Sequence, residues 1–192
     1  HRILLRQDNT DLRLTPIGYQ IGLISKDRYQ QLMKKENRIK KFIDFLKNYS
    51  VNPDEINSLI ITVNSSPLIQ KNTLSKLLLR PEISLHHLIQ ALPLLSTYVQ
   101  KNYLNEYEIE QVEIGIKYEN YILKEKELAD RINNLEKIKL NPDFDYHSIS
   151  ALSIEARQKL SRIKPMTLGQ ASRISGVSPS DISVLLVLLG RA

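Results

Sequence analysis

The sequence predicts a mainly α, multi-helical fold. Three observations carry that reading: helix-start signals recur along the whole chain, apolar residues follow them at helical spacing, and no alternating strand pattern is found after Leu14. With 42% hydrophobic and 25% charged residues in 192, the chain can bury one good-sized core or two small ones. It has no cysteine, which excludes disulfides, thiolate metal sites and cysteine nucleophiles. The longest apolar run, Val184 to Leu189, is too short to span a bilayer, so no membrane partner is expected.

The stretch HRILLRQDNTDLRLTPIGYQIGL mixes Ile3, Leu4 and Leu5 with charged residues and turns at Pro16 and Gly18. It reads as a short extended or irregular segment over 1–24. Because the chain begins at His1 and has methionine only at 33 and 166, it is expected to be part of something longer. Ser25 caps a helix running to about Tyr49, with Tyr29, Leu32, Met33, Ile39, Ile43 and Leu46 on one side and Lys34, Arg38 and Lys41 on the opposite one. Asn52-Pro53-Asp54-Glu55 starts a short helix, since Asn caps, Pro fits the first turn and carboxylates favour the positive end of the dipole. Thr73 to Arg80 and Ser84 to Leu92 form two further helices, the second stopped by Pro93.

From Asn105 to about Leu140 no proline intervenes, which predicts one helix of roughly 50 Å. Ile109, Val112, Ile116 and Leu123 mark one stripe, while Ile114, Tyr121, Leu128 and Leu135 mark a second at sevenfold spacing, so the helix is expected to lie between neighbours. By the same reasoning Tyr118 and Tyr121 are expected in a core, with base stacking as the alternative. Asn141-Pro142-Asp143 closes the helix, Ser153 opens another, Thr167 to Gln170 has the form of a capping box, and Ser178-Pro179-Ser180-Asp181 starts the last. These signals divide the chain into 1–24, a helical domain at 25–140 and a carboxy-terminal subdomain at 141–192.

Chemistry is sparse. The six glycines nowhere form a phosphate-cradling loop. His86 and His87 are adjacent, so on a helix they diverge by about 100° and do not make a metal pair. Asp143 and Asp145 follow a helix-ending proline and read as turn residues. No catalytic, cofactor or metal constellation is expected. What stands out is charge: to Ser50, eleven Lys/Arg face five Asp/Glu, whereas beyond it sixteen face sixteen. Such a local excess suits a polyanion, with a solvated helix face as the alternative.

The run MTLGQASRISGVSPSDISVLLVLL has helix-turn-helix spacing in Ser172, Gly176 and Ile182. A second helix that reads DNA must offer polar and basic side chains near its amino end. Here that end carries Asp181, which would repel phosphate, and the rest is aliphatic. Ile182, Leu185, Leu186 and Leu189 can face a core, leaving Val184, Val187 and Leu188 for another surface, so protein docking is favoured over DNA reading.

RILLRQDNTDLRLTPIGYQIGLI, RPEI at 80–83, EQVEIGIKYENYI at 110–122 and IKPMTLGQASRISGVSPSDISVLLV together resemble the carboxy-terminal region of the glucose-inhibited division protein A family, also called MnmG. One departure is Asn120, where the family tends to have glycine. The resemblance implies the carboxy-terminal, tRNA-binding and GTPase-docking domain of a flavin-dependent enzyme that modifies the wobble uridine, acting with the partner GTPase MnmE. It implies an upstream domain carrying FAD, with NADH and methylene-tetrahydrofolate as co-substrates, a cytoplasmic homodimer in full length, and no activity in this fragment alone. It also turns the basic residues into expected tRNA contacts: Arg2, Arg6, Arg13, Lys34, Arg38, Lys41 and Lys117, with ion pairing to Asp8 and Asp11 the alternative for Arg6 and Arg13. Val184, Val187 and Leu188 become the expected GTPase-docking residues. Outside the family, the alternative is a stand-alone helix-turn-helix nucleic-acid-binding or protein-interaction module.

Overall fold

A computed structural model describes residues 2–190. The fold is mainly α, with eleven α-helices and one tiny two-stranded sheet among the described residues. It divides into two compact units, His1–Leu123 and Lys124–Ala192. The division falls inside a helix, ahead of the 140/141 break expected from Asn141-Pro142.

The first unit is built on α2 (Lys26–Asn48), which follows α1 (Thr10–Gln20). Ser25 caps α2 by accepting from the Arg28 amide, as its position predicts. The buried face of α2 is Leu32, Ile39, Phe42 and Leu46, whereas Met33 points outward. β1 (Ser50–Val51) leads into α3 (Pro53–Thr62), and β2 (Asn72–Thr73) pairs back antiparallel on β1 before α4 (Leu74–Leu78). Then come α5 (Leu85–Ala91), α6 (Pro93–Lys101) and α7 (Glu106–Lys117). The core gathers Phe42, Leu46, Val51, Ile56, Ile60, Leu74, Leu77, Leu88, Leu95 and Val112, all fully buried. Tyr98 stacks on Phe42 and Phe45 at 4.9 and 4.6 Å between ring centroids. Gly115 sits where α7 meets α2: an added Cβ would lie 3.1 Å from Ile43 Cδ1, tighter than ordinary contact.

Two expectations fail here, and one helix, α6, is not expected from the sequence. Residues 10–20 are helical despite Pro16 and Gly18, because side-chain bonds hold the entry: Asn9 Nδ2 donates to the Leu4 carbonyl and Thr10 Oγ1 to that of Arg6. Pro93 stops α5 yet also occupies the first turn of α6, where its missing N–H costs nothing. The long helix is two, broken at Tyr118 (φ −109°, ψ 12°) between α7 and α8 (Glu119–Lys137). Ile109, Val112 and Ile116 are buried, but Leu123, Tyr121 and Leu128 are exposed and α8 buries no residue. The second apolar stripe is therefore not sandwiched between neighbours, and Tyr118 and Tyr121 are surface residues. Asn120 is exposed as well, so no close backbone approach requires glycine there.

The second unit contains the rest of α8, a 3-10 turn at Tyr146–Ser148, α9 (Ile154–Ile163), α10 (Leu168–Ser172) and α11 (Pro179–Leu188). Its core is Tyr146, Leu152, Ala156, Leu160, Leu168, Ala171 and Leu185. A backbone bridge joins Lys139 to Thr167, with the Leu140 amide donating to the Met166 carbonyl at 2.9 Å.

Candidate functional site

The seven expected tRNA contacts of the first unit do not form one stripe. Arg6 lies against its own neighbours: Nε donates to the Asp8 carboxylate at 3.0 Å, Nη1 to the Ile3 carbonyl at 3.0 Å and Nη2 to Gln111 Oε1 at 3.4 Å. Asp8 also accepts from Gln111 Nε2 at 2.7 Å. The hydrogen bond from Arg6 holds the Asp8 carboxyl below the usual range, against the opposing effect of burial. Arg13 is half-buried, and its Nε is enclosed without a partner among the described residues. Arg38, read from the sequence as part of the outward stripe, turns to α7 and pairs with Glu108, with Nε at 2.9 Å. Glu108 is fully buried and accepts from the Asn105 amide as well, so the pair is a structural tie. Lys117 pairs with Glu113 one turn away at 2.9 Å. Lys35, absent from the expected set, bonds Asp11 at 2.6 Å and sits 3.5 Å from the centroid of the Tyr107 ring. Burial works to raise Asp11, but Lys35, the Tyr107 hydroxyl and the Leu12 amide overcome it and lower its pKa. Burial and the Asp11 carboxylate push the Tyr107 hydroxyl far up.

What remains outward is simpler. Lys34 and Lys41 are exposed on α2, two turns apart on one face, and Lys40 is exposed beside Lys41. None of the three has an ion pair among the described residues. Arg2 is exposed ahead of α1. Sequence spacing finds Lys34 and Lys41 but cannot tell that Arg38, on the same stripe, meets a carboxylate seventy residues away.

In the second unit the three residues expected to dock a protein do come together. Val184, Val187 and Leu188 line an open groove of about 670 Å³ with Ile149 and Ala151. Val187 and Leu188 are 64% and 54% exposed, while Val184 is half-buried against the core. α10 and α11 flank a turn in which Gly176 takes φ 93°, a left-handed conformation that favours glycine. Ile182 and Leu185 are buried. Asp181 is not displayed toward a ligand: it is 3% exposed and accepts from the Ser153 amide (2.8 Å), the Ser178 amide (2.8 Å) and both serine hydroxyls (3.2 and 2.6 Å). Burial opposes ionisation, but these donors outweigh it and lower the pKa. The carboxylate expected to repel phosphate therefore ties the amino ends of α9 and α11 together.

His86 pairs with Glu106 at 2.6 Å on the surface, and His87 Nδ1 accepts from the Ser84 amide as part of a helix cap. Asp145 caps the 3-10 turn, accepting from the His147 amide at 3.0 Å. No helix is long and apolar enough to cross a membrane among the described residues.

Comparison with known proteins agrees along the whole chain. Residues 26–126 match the tRNA modifying enzyme MnmG/GidA C-terminal helical domain, and residues 128–192 match the MnmG/GidA C-terminal helical bundle. The chain is 48% identical over 191 residues to the tRNA uridine 5-carboxymethylaminomethyl modification enzyme MnmG of Cytophaga hutchinsonii, and 46% identical over 191 to that of Christiangramia forsetii. Each alignment covers all of this chain but only 30% of the relative, so the chain spans under a third of the relatives it matches. Among solved structures, GidA of Aquifex aeolicus in its form II crystal is similar with a TM-score of 0.61 and 34% identity, covering 96% of this chain and 28% of that one.

Proposed function

The chain belongs to the MnmG/GidA family of tRNA-modifying enzymes as its carboxy-terminal helical region, and from that premise we propose that it holds tRNA and docks a partner GTPase. The enzyme it serves installs the 5-carboxymethylaminomethyl group on the wobble uridine. The observation that carries the tRNA half is the exposed, unpaired set Lys34, Lys40 and Lys41 on α2. Like Lys26 and Arg28, which are also exposed on α2 without an ion pair among the described residues, these are free to displace counterions from phosphates. Arg2 can add to them, whereas Arg6, Arg38 and Lys117 support the surface through their ion pairs. The GTPase half rests on Val187 and Leu188, large aliphatics left in water beside a groove.

The chemistry belongs elsewhere. FAD needs a glycine-rich turn between strand and helix, and the glycines described here are scattered singly, so the residues of this chain do not fit that cofactor. FAD, NADH and methylene-tetrahydrofolate are assigned to the part of the enzyme outside this chain, together with assembly as a cytoplasmic homodimer, and the fragment alone is inactive. The test is tRNA binding by the triple variant Lys34→Gln, Lys40→Gln, Lys41→Gln across a salt series. The salt-dependence exponent should fall by about 0.7–0.9 for each phosphate that a lysine no longer neutralises. An unaltered exponent and affinity reject the assignment.

A further inference from the structure

Tyr103 is a tyrosine where the backbone asks for glycine. It lies just past the C-cap of α6 at φ 52°, in the left-handed region where a Cβ crowds the neighbouring carbonyl. The turn around it is closed. The Tyr103 amide donates to the Gln100 carbonyl at 3.2 Å and the Leu104 amide to the Val99 carbonyl at 3.1 Å, the pair of bonds that ends a helix on a left-handed residue. On either side the chain is anchored: Asn102 Nδ2 donates to the Tyr98 carbonyl at 2.8 Å, Leu104 enters the core, and Asn105 caps α7 by accepting from the Glu108 amide at 2.9 Å. Yet Tyr103 is 87% exposed, more than any other aromatic residue among the described residues. Its ring therefore recovers little by burial for the strained backbone that carries it.

The same contacts place this turn beside the cationic edge of α2. Arg38 lies one turn from both Lys34 and Lys41, and its partner Glu108 accepts from the Asn105 amide at 3.0 Å. Two residues, at most about 7 Å of extended chain, separate Asn105 from Tyr103. Tyr98, ahead of Tyr103 on α6, stacks on Phe42 and Phe45 of α2. Lys101, exposed in the last turn of α6 without an ion pair among the described residues, adds a further cation. Glu106, an exposed carboxylate nearby in sequence, is engaged by His86. An aromatic face in water among unpaired lysines is the pattern that binds unpaired nucleotides: the cations hold phosphates and the ring stacks on a base of any sequence. The neighbours of the ring along the chain, Lys101, Asn102, Asn105 and Glu106, are polar, so a protein would find one aromatic there and no apolar patch. We propose that Tyr103 is a stacking platform for an unpaired base of RNA whose backbone runs along Lys34, Lys41 and Lys101. This rests on the tRNA reading above and adds what lysines alone do not supply, a preference for single-stranded over duplex segments.

The experiment measures binding of the 192-residue chain to tRNA, to a single-stranded RNA of about twelve nucleotides and to a blunt RNA duplex, each across a salt series. Tyr103→Ala should weaken tRNA and single-strand binding at least about fivefold and leave duplex binding unchanged. Its salt exponent should stay at the original value, because no phosphate contact is lost. Tyr103→Phe should bind as the original chain does, since the stacking face survives. Tyr103→Gly should lose the same affinity as Tyr103→Ala yet melt no lower, because glycine suits the left-handed position. If the triple lysine variant loses affinity and Tyr103→Ala does not, the platform is overturned while the tRNA reading stands; if neither changes anything, both fall. Equal loss on duplex and single strand overturns stacking on an unpaired base. So does a Tyr103→Phe variant as weak as Tyr103→Ala, which would assign the contact to the hydroxyl. Loss of GTPase binding in Tyr103→Ala with RNA affinity intact gives the ring to a protein and overturns the proposal as well. A melting temperature more than about 4 °C lower in Tyr103→Gly does the same, because the ring would then be packing within its own unit.

Discussion

The two units satisfy a buried carboxylate in different ways. In the first, cations meet carboxylates, Arg6 on Asp8, Lys35 on Asp11 and Arg38 on the buried Glu108, while Lys26, Arg28, Lys34, Lys40 and Lys41 of α2 stay outward. In the second, the buried carboxylate has uncharged partners: Asp181 is enclosed by four amide and hydroxyl donors, while Val187 and Leu188 stand in water. A charged residue in a basic or acidic run is thus a poor guide to the surface until its partner is known. The surface that can meet a ligand is what remains after internal pairing: the α2 cations are part of it in the first unit, Val187 and Leu188 in the second.

The sharpest way to break this comparison is Arg38→Met. It leaves Glu108 buried without its cation, and the first unit should lose about 3 kcal/mol in denaturant unfolding. The double variant Arg38→Met, Glu108→Gln should recover most of that loss, because the uncompensated charge is gone. If Arg38→Met costs no more than Lys34→Gln, the tie is not structural and Arg38 returns to the solvent stripe.

Next in size is Asp181→Ala, which strips the acceptor from the Ser153 and Ser178 amides and should cost the second unit about 2 kcal/mol. The pH dependence has a defined sign. The folded pKa of Asp181 lies below its ordinary value of 3.8, so its contribution is complete above that value and is lost as pH falls through the folded pKa. Asp181→Asn should therefore flatten the acid limb of the second unit's melting curve below about pH 4. Asp8 and Asp11 have lowered values too and give the first unit an acid limb of the same sign, which the Asp181 substitution leaves in place.

These sites also mark the limit of what could be read from the sequence. The caps were legible because they are local: Ser25, Ser84, Asn105, Ser153, Thr167 and Ser178 each accept from an amide three residues on. The apolar split of α11 was legible for the same reason, since periodicity alone separates Ile182 and Leu185 from Val187 and Leu188. Long-range pairing was not. Nothing near Arg38 announces Glu108, and nothing near Asp181 announces Ser153. Helix α1 escaped because Pro16 and Gly18 read as breakers and its fully buried residue is the polar Thr15. The break at Tyr118 carries neither proline nor glycine, and the propensity signal passes through it unchanged.

Smaller in stability, but decisive for the aliphatic surface, is Val187→Asp with Leu188→Asp. Both side chains are already mostly in water, so unfolding free energy should change by no more than about 0.5 kcal/mol each. Binding to the partner GTPase should nevertheless disappear in a pull-down or by calorimetry. Val184→Asp is a different experiment, because that side chain is half-buried against the core and its loss of binding would be mixed with about 1–2 kcal/mol of destabilisation. The comparison is sharpened by measuring tRNA affinity on the same Val187 and Leu188 variants. If the units divide the work as their surfaces suggest, tRNA affinity stays constant while GTPase binding is lost, and the α2 lysine variant shows the reverse. Loss of both ligands in either variant would mean that one surface serves the two, and the different treatment of the buried carboxylate in the two units would then be a matter of folding alone.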